Sequence, residues 1–140
     1  MKAIIFGVTG QDGSYLSELL LGKGYKVAGV NRRASTNNTE RLEHLLDNKD
    51  FSLIEGDVTD FINVSSIIND QQPDEVYNLA AQSHVATSFN EPVHTWRVDA
   101  EGPLNILESV RRYCFNAKFY QASTSEMFGS SVDADGYQRE

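Results

Sequence analysis

Apolar residues fall in short dense blocks separated by stretches with helical spacing. Ala3-Ile4-Ile5-Phe6 is the first block, and residues 25–30, 51–55, 75–81 and 117–122 repeat the pattern. Blocks of this length with few polar interruptions predict strands buried on both faces of a parallel sheet. Between them, residues 14–21 carry apolar positions at helical spacing and end at Gly22 and Gly24. Residues 40–46 predict a short helix capped by Thr39, with Leu42, Leu45 and Leu46 as one stripe. Ile62, Val64, Ile67 and Ile68 predict a helix over 61–72, stopped by Pro73, and Pro92 opens the longest one, over 92–113. Leu104, Ile106, Leu107 and Val110 are its apolar positions, and Gly102-Pro103 inside it is expected to weaken or kink it. Residues 82–88 read as a polar loop, and 129–140 as a polar loop or tail.

Strands alternating with helices imply an α/β fold, a Rossmann-type doubly wound parallel sheet over residues 1–128. Right-handed crossovers give the strand order 3-2-1-4-5, with the switch point beside the first strand. Loops at the carboxyl ends of the strands then open onto one crevice.

Chemistry-bearing residues collect at those ends. The first strand runs into Gly7-Val8-Thr9-Gly10-Gln11-Asp12-Gly13 and then into a helix. A glycine loop in that context is a dinucleotide fingerprint, although its spacing is G-x-x-G-x-x-G. Gly7 permits the turn, Gly10 lets a pyrophosphate approach, and Gly13 lets the helix pack closely, with Thr9, Gln11 and Asp12 beside them. The plainer reading is a glycine-rich strand–turn–helix. About twenty residues on, where NAD-binding domains carry an acid, stand Arg32, Arg33, Ser35 and Thr36. Guanidinium suits a 2′-phosphate, so the expected cofactor is NADP; a solvated basic loop or a subunit contact is the alternative. Asp57 and Val58 after the third strand suit an adenine, with a turn at Asp57 and an N-cap at Asp60 as the other reading. Leu79, Ala80 and Ala81 leave room for a ribose or nicotinamide, and Ser83 and His84 follow in the loop. A catalytic role is open to His84, but a loop histidine is more often a hydrogen-bonded spacer. Ser123-Thr124-Ser125-Glu126 closes the fifth strand.

Composition trims the alternatives. A net charge of −8 over 140 residues provides no broad basic face for nucleic acid. Cys114 stands alone, which excludes a disulfide framework or a cysteine metal cluster and fits a reducing, cytoplasmic setting. The apolar run at residues 3–6 is too short for a signal peptide, and none is long enough to span a membrane.

Several stretches together resemble the GDP-mannose 4,6-dehydratases, which are extended short-chain dehydrogenase/reductases. They are the loop from Gly7 through Leu16, Arg32-Arg33-Ala34-Ser35, Asn38-Thr39, Tyr77-Asn78-Leu79-Ala80-Ala81-Gln82-Ser83-His84-Val85 and Phe119-Tyr120-Gln121-Ala122-Ser123-Thr124-Ser125-Glu126. The resemblance implies a lyase with tightly held NADP and GDP-mannose as substrate. Hydride leaves sugar C4 for the cofactor, water is lost across C5–C6, and hydride returns at C6. It assigns Thr124 a hydrogen bond to the C4 hydroxyl, Glu126 the C5 proton and its delivery to the leaving C6 hydroxyl, and Ser83, His84 and Ser125 the substrate side. His94 replaces a tyrosine usual in the family, and Asn37 a phenylalanine. None of Tyr15, Tyr25, Tyr77, Tyr113 or Tyr120 has a lysine four residues later and Tyr137 runs out of chain, so the family's Tyr-x-x-x-Lys pair is expected beyond Glu140, with the last strands and the substrate domain. The expectation is therefore the amino-terminal part of the dehydratase, inactive alone and drawn into homo-oligomers by bare apolar surface. The alternatives are a non-catalytic NADP(H)-binding module, or a related nucleotide-sugar dehydratase or epimerase.

Overall fold

A computed structural model describes residues 1–35 and 37–139; Thr36, Glu140 and the side chain of Ser125 lie outside the described residues. Five strands, β1 (Lys2–Phe6), β2 (Lys26–Asn31), β3 (Phe51–Glu55), β4 (Glu75–Asn78) and β5 (Lys118–Gln121), form one sheet. All pairings are parallel, and the order is β3-β2-β1-β4-β5, as the crossover argument requires.

β1 is central and divides two cores. Ile4 and Phe6 join Ala28, Val30, Val76 and residues of the covering helices on one face, while Ala3 and Ile5 join Val27, Leu20, Leu42, Leu45 and Phe51 on the other. Its four apolar residues are fully buried, and the side chains of Ile4, Ile5 and Phe6 each contribute about 2 kcal/mol of transfer free energy. The second face is covered by α1 (Gln11–Gly22) and a 3-10 turn over Glu40–Leu45. The first is covered by α2 (Phe61–Gln71) and, after α3 (Val85–Asn90) and α4 (Pro92–Trp96), by α5 (Gly102–Tyr113). α2 and α5 meet through the buried hydroxyls of Ser65 and Ser109, 2.8 Å apart.

Several local expectations need correction. α1 buries Gly13, Ser14, Ser17 and Leu20, leaving Leu19 and Tyr15 exposed, because small residues let it lie close to the sheet. The Ser17 hydroxyl is satisfied within the helix, donating to Gly13 O at 2.8 Å. Leu46 and Ile62 are exposed, so the stripes they were assigned to are narrower than their apolar character suggests. Thr39 does not cap its turn; its N–H and hydroxyl both donate to Asn37 Oδ1, at 3.0 and 2.7 Å. Residues 85–88 lie in α3 rather than in a loop. The weakening expected at Gly102-Pro103 takes the form of a π-turn over Arg97–Glu101, just before that pair.

Beyond β1, on the face that carries α1, the sheet is only partly covered. Tyr77 and Tyr120 lie there on neighbouring strands with ring centroids 6.1 Å apart. Tyr77 donates its hydroxyl to Glu75 Oε2 at 2.7 Å, and partial burial together with that carboxylate pushes the phenol up to about 12.

Candidate functional site

The turn after β1 is set by Gly7, whose φ of +78° lies in the left-handed region. The backbone at the end of β4 passes so close that a Cβ on Gly7 would sit 2.7 Å from Ala80 N. Gly10 N–H donates to Gly7 O at 3.1 Å, and α1 starts at the next residue. A Cβ on Gly13 would meet Gly7 O at 2.5 Å and Val8 Cα at 2.7 Å, so only glycine lets this helix begin so close to the strand. The amides of Gln11, Asp12 and Gly13, in the first turn, have no intrahelical acceptor, and the positive end of the helix dipole lies with them. This is a cradle suited to a pyrophosphate, although Asp12 adds a carboxylate to the same turn.

The cradle opens into a crevice of about 730 Å³ at the switch point. Gly7, Thr9, Gly10 and Asp12 form one side, Asn31, Arg32 and Asn38 another, and Asp57 and Val58 a third. Asn31 and Asn38 exchange side-chain amide bonds of 3.1 and 3.0 Å, which anchors the segment after β2. Arg33 faces a side hollow of about 450 Å³ shared with Arg32, Glu55, Asp57 and Asp60. Among the described residues, neither Arg32 nor Arg33 is in an ion pair. Asp57 Oδ1 accepts from the N–H and the hydroxyl of Thr59 at 2.9 and 2.8 Å, so the turn is real, and the residue still lines the crevice. Asp60 caps α2 by accepting from Asn63 N–H at 3.0 Å.

The remaining wall is residues 79–84, including Leu79, Ala80, Ala81, Ser83 and His84. Side-chain oxygens hold alternate amides of this wall. Ala80 N–H goes to Asn78 Oδ1 at 3.2 Å, Gln82 N–H to Asp99 Oδ1 at 2.8 Å, and His84 N–H to Gln82 Oε1 at 2.9 Å. His84 itself caps α3, its Nδ1 accepting from Thr87 N–H at 3.3 Å, which is the spacer role. His94 and Val98 line the crevice from the long helix.

At the end of β5, Ser123 adopts φ +58° and reaches the crevice. Thr124 Oγ1 accepts from Glu126 N–H at 3.2 Å and caps a 3-10 turn over Ser125–Phe128. Thr124 and Glu126 are exposed and do not line the crevice; neither do Gln11, Gly13, Arg33 and Ser35. Gly13 packs α1 against the turn after β1, and Arg33 faces the side hollow. Sequence reasoning missed Gln82, Asp99 and Val98. Gln82 stood in the polar loop without a role, and the trace of Val98 and Asp99 was Gly102-Pro103, which marks a helix that cannot stay regular.

The sequence profile described as GDP-mannose 4,6 dehydratase matches residues 4–140. A GDP-mannose 4,6-dehydratase from Vibrio cholerae is 55% identical over 91% of this chain but 36% of its own length, so the chain spans about a third of that relative. A UDP-glucose 4-epimerase from Thermotoga maritima, solved with UDP-glucose, superposes with a TM-score of 0.80 at 29% identity, over 96% of this chain and 41% of that one. WbmH from Bordetella bronchiseptica, solved with NAD⁺, gives 0.77 at 28% identity, over 96% and 42%. Sheet order, glycine cradle and sequence match agree: the chain belongs to the GDP-mannose 4,6-dehydratase family.

Proposed function

We propose that this chain is the NADP-binding part of an enzyme that dehydrates GDP-mannose to GDP-4-keto-6-deoxy-mannose. The observation that carries the reading is the crevice at the switch point, with the glycine cradle along one side, Arg32 on another and Arg33 in the hollow beside it. When bound, the dinucleotide supplies the acceptor and donor of hydride. The chain's own residues bind and orient both molecules and move the C5 proton; the base for the C4 hydroxyl proton, a Tyr-x-x-x-Lys pair in this family, is not among residues 1–140. The first-turn amides of α1 hold the pyrophosphate, and Arg32, Arg33 and Ser35 hold the 2′-phosphate. Asp57 and Val58 take the adenine, while Leu79, Ala80, Ala81 and Ser83 make room for the ribose and nicotinamide. On the sugar side Ser83, His84 and Ser125 position the substrate, and Thr124 hydrogen-bonds the C4 hydroxyl. Glu126 takes the C5 proton and returns it to the C6 oxygen, which leaves as water.

Calorimetric titration tests the cofactor. NADP⁺ is expected to bind at least about tenfold more tightly than NAD⁺, the margin of a charge-assisted hydrogen bond. Arg32→Ala with Arg33→Ala should remove that margin without weakening NAD⁺. Equal or tighter NAD⁺ binding by the unaltered chain overturns the NADP assignment.

A second reading, a dinucleotide-binding module without turnover, is favoured by the exposure of Thr124 and Glu126 outside the crevice. Incubation of a longer version that carries a Tyr-x-x-x-Lys pair with NADP⁺ and GDP-mannose separates the two. A 4-keto-6-deoxy product that disappears in Glu126→Gln supports the enzyme, and tight NADP⁺ binding with no product supports the module. The 140-residue chain itself reports on self-association. Val93, Trp96, Leu104 and Leu107 are exposed along one helix and suit a homo-oligomer, which a monomeric mass by light scattering would exclude.

A further inference from the structure

The π-turn in the long helix has a cause in the sequence and an effect at the crevice. Pro103 has no N–H to offer the carbonyl of Asp99, four residues back, and its ring crowds that carbonyl. The helix widens instead, with Gly102 N–H reaching Arg97 O five residues back. The widened turn leaves Val98 inward, 9% exposed and lining the crevice, and brings the carboxylate of the exposed Asp99 to the Gln82 amide in the crevice wall. Asp99 Oδ1 accepts from Gln82 N–H at 2.8 Å, and Thr95 Oγ1, one turn earlier, accepts from Gln82 Nε2 at 3.1 Å. Gln82 passes the grip on, with Oε1 accepting from His84 N–H and Nε2 donating to His84 O at 3.3 Å. One helix therefore holds this wall residue by its backbone and by its side chain. The carboxylate contact is the charge-assisted and shorter of the two.

We propose that Asp99 is a positioning residue, whose carboxylate, placed by the π-turn that Pro103 enforces, holds the 79–84 wall in the shape that accepts the nicotinamide end of the dinucleotide. This rests on the cofactor reading above. It assigns Asp99 no contact with the cofactor; the residue acts through the Gln82 amide. A wall fixed before the ligand arrives spares the binding step the entropy of ordering it.

The experiment uses the whole chain, unaltered and as Asp99→Ala and Asp99→Asn, with two readouts. The first is hydrogen exchange at the Gln82 amide, with the β1 amides as internal control. The second is affinity for NADP⁺ against 2′,5′-ADP, which carries the adenosine and 2′-phosphate but no nicotinamide. Asp99→Ala is expected to speed Gln82 exchange about tenfold, to weaken NADP⁺ about tenfold and to leave 2′,5′-ADP within about twofold, the loss of one charge-assisted bond. Asp99→Asn keeps an acceptor oxygen and should fall between. If Asp99→Ala does not fold, Asp99→Asn carries the test with a smaller factor. Unchanged Gln82 exchange overturns the proposal, and so does equal weakening of both ligands, which would mark general damage. An unaltered chain that binds neither ligand ends the cofactor reading, and Gln82 exchange still decides whether Asp99 sets the wall.

Discussion

Gly13→Ala is expected to lower the stability of this chain by about 3 kcal/mol and to abolish dinucleotide binding, although it adds a single methyl to a helix. That methyl would lie 2.5 Å from Gly7 O, 2.7 Å from Val8 Cα and 2.8 Å from Val8 C. All three are backbone atoms, so no side chain can swing aside. Either α1 moves off the strand and opens the core around Ile5 and Leu20, or the turn at Gly7 distorts and the cradle loses its shape. Gly22→Ala, in the same helix, is the control. An added methyl there meets nothing within 4 Å, and alanine's helical preference should stabilise by about 0.5–1 kcal/mol. Urea unfolding of the two variants, followed by far-ultraviolet circular dichroism, gives opposite shifts of midpoint. Equal shifts would mean that close approach does not explain Gly13.

The second large effect is expected at Asn78, which is fully buried at the end of β4. Its Nδ2 donates to Gln121 Oε1 at 2.8 Å, tying β4 to β5, and its Oδ1 accepts from Ala80 N–H at the root of the crevice wall. Leucine is of similar size but leaves both partners unpaired. An unsatisfied buried group costs about 1–3 kcal/mol, and Gln121 is half-buried and can recover some loss through water, so Asn78→Leu should cost about 3 kcal/mol in all. Gln121→Leu alone should cost less, and the double variant should cost less than the sum of the two, since both then lose the same bond. Strict additivity in a double-mutant cycle would show that the Asn78–Gln121 bond contributes nothing of its own.

Sequence periodicity was enough for the strand order, because each strand is a compact apolar block and right-handed crossovers leave one arrangement. The glycine loop was legible for a similar reason, since its residues are neighbours in the chain. The face of α1 was not. Hydropathy points to Leu19 and Tyr15, whereas close packing selects small size, and Ser14 and Ser17 are small but polar. α3 was missed because its cap is His84, an unusual acceptor, and because 82–88 carries no apolar stripe. The clamp on Gln82 joins residues 17 apart, and the bond from Asn105 Nδ2 to Val58 O joins residues 47 apart. Bonds of that span leave no local pattern to read. Thr124 and Glu126 were expected at the crevice from their position after β5 and were given roles by resemblance; the fold instead puts them on an exposed turn whose cap is Thr124 itself, outside the crevice lining.

The central position of β1 also sets an order of events during synthesis. β1 needs a partner on each side, and Ala3 does not meet Glu75 until all of β2, β3 and α2 has been made. For that interval Ala3-Ile4-Ile5-Phe6 is an open edge as apolar as any stretch of the chain, and a ready template for strands of other molecules. Closing so long a loop is slow compared with forming α1 or α2. The strand that anchors the finished sheet is thus the part of the nascent chain with most to gain from a chaperone.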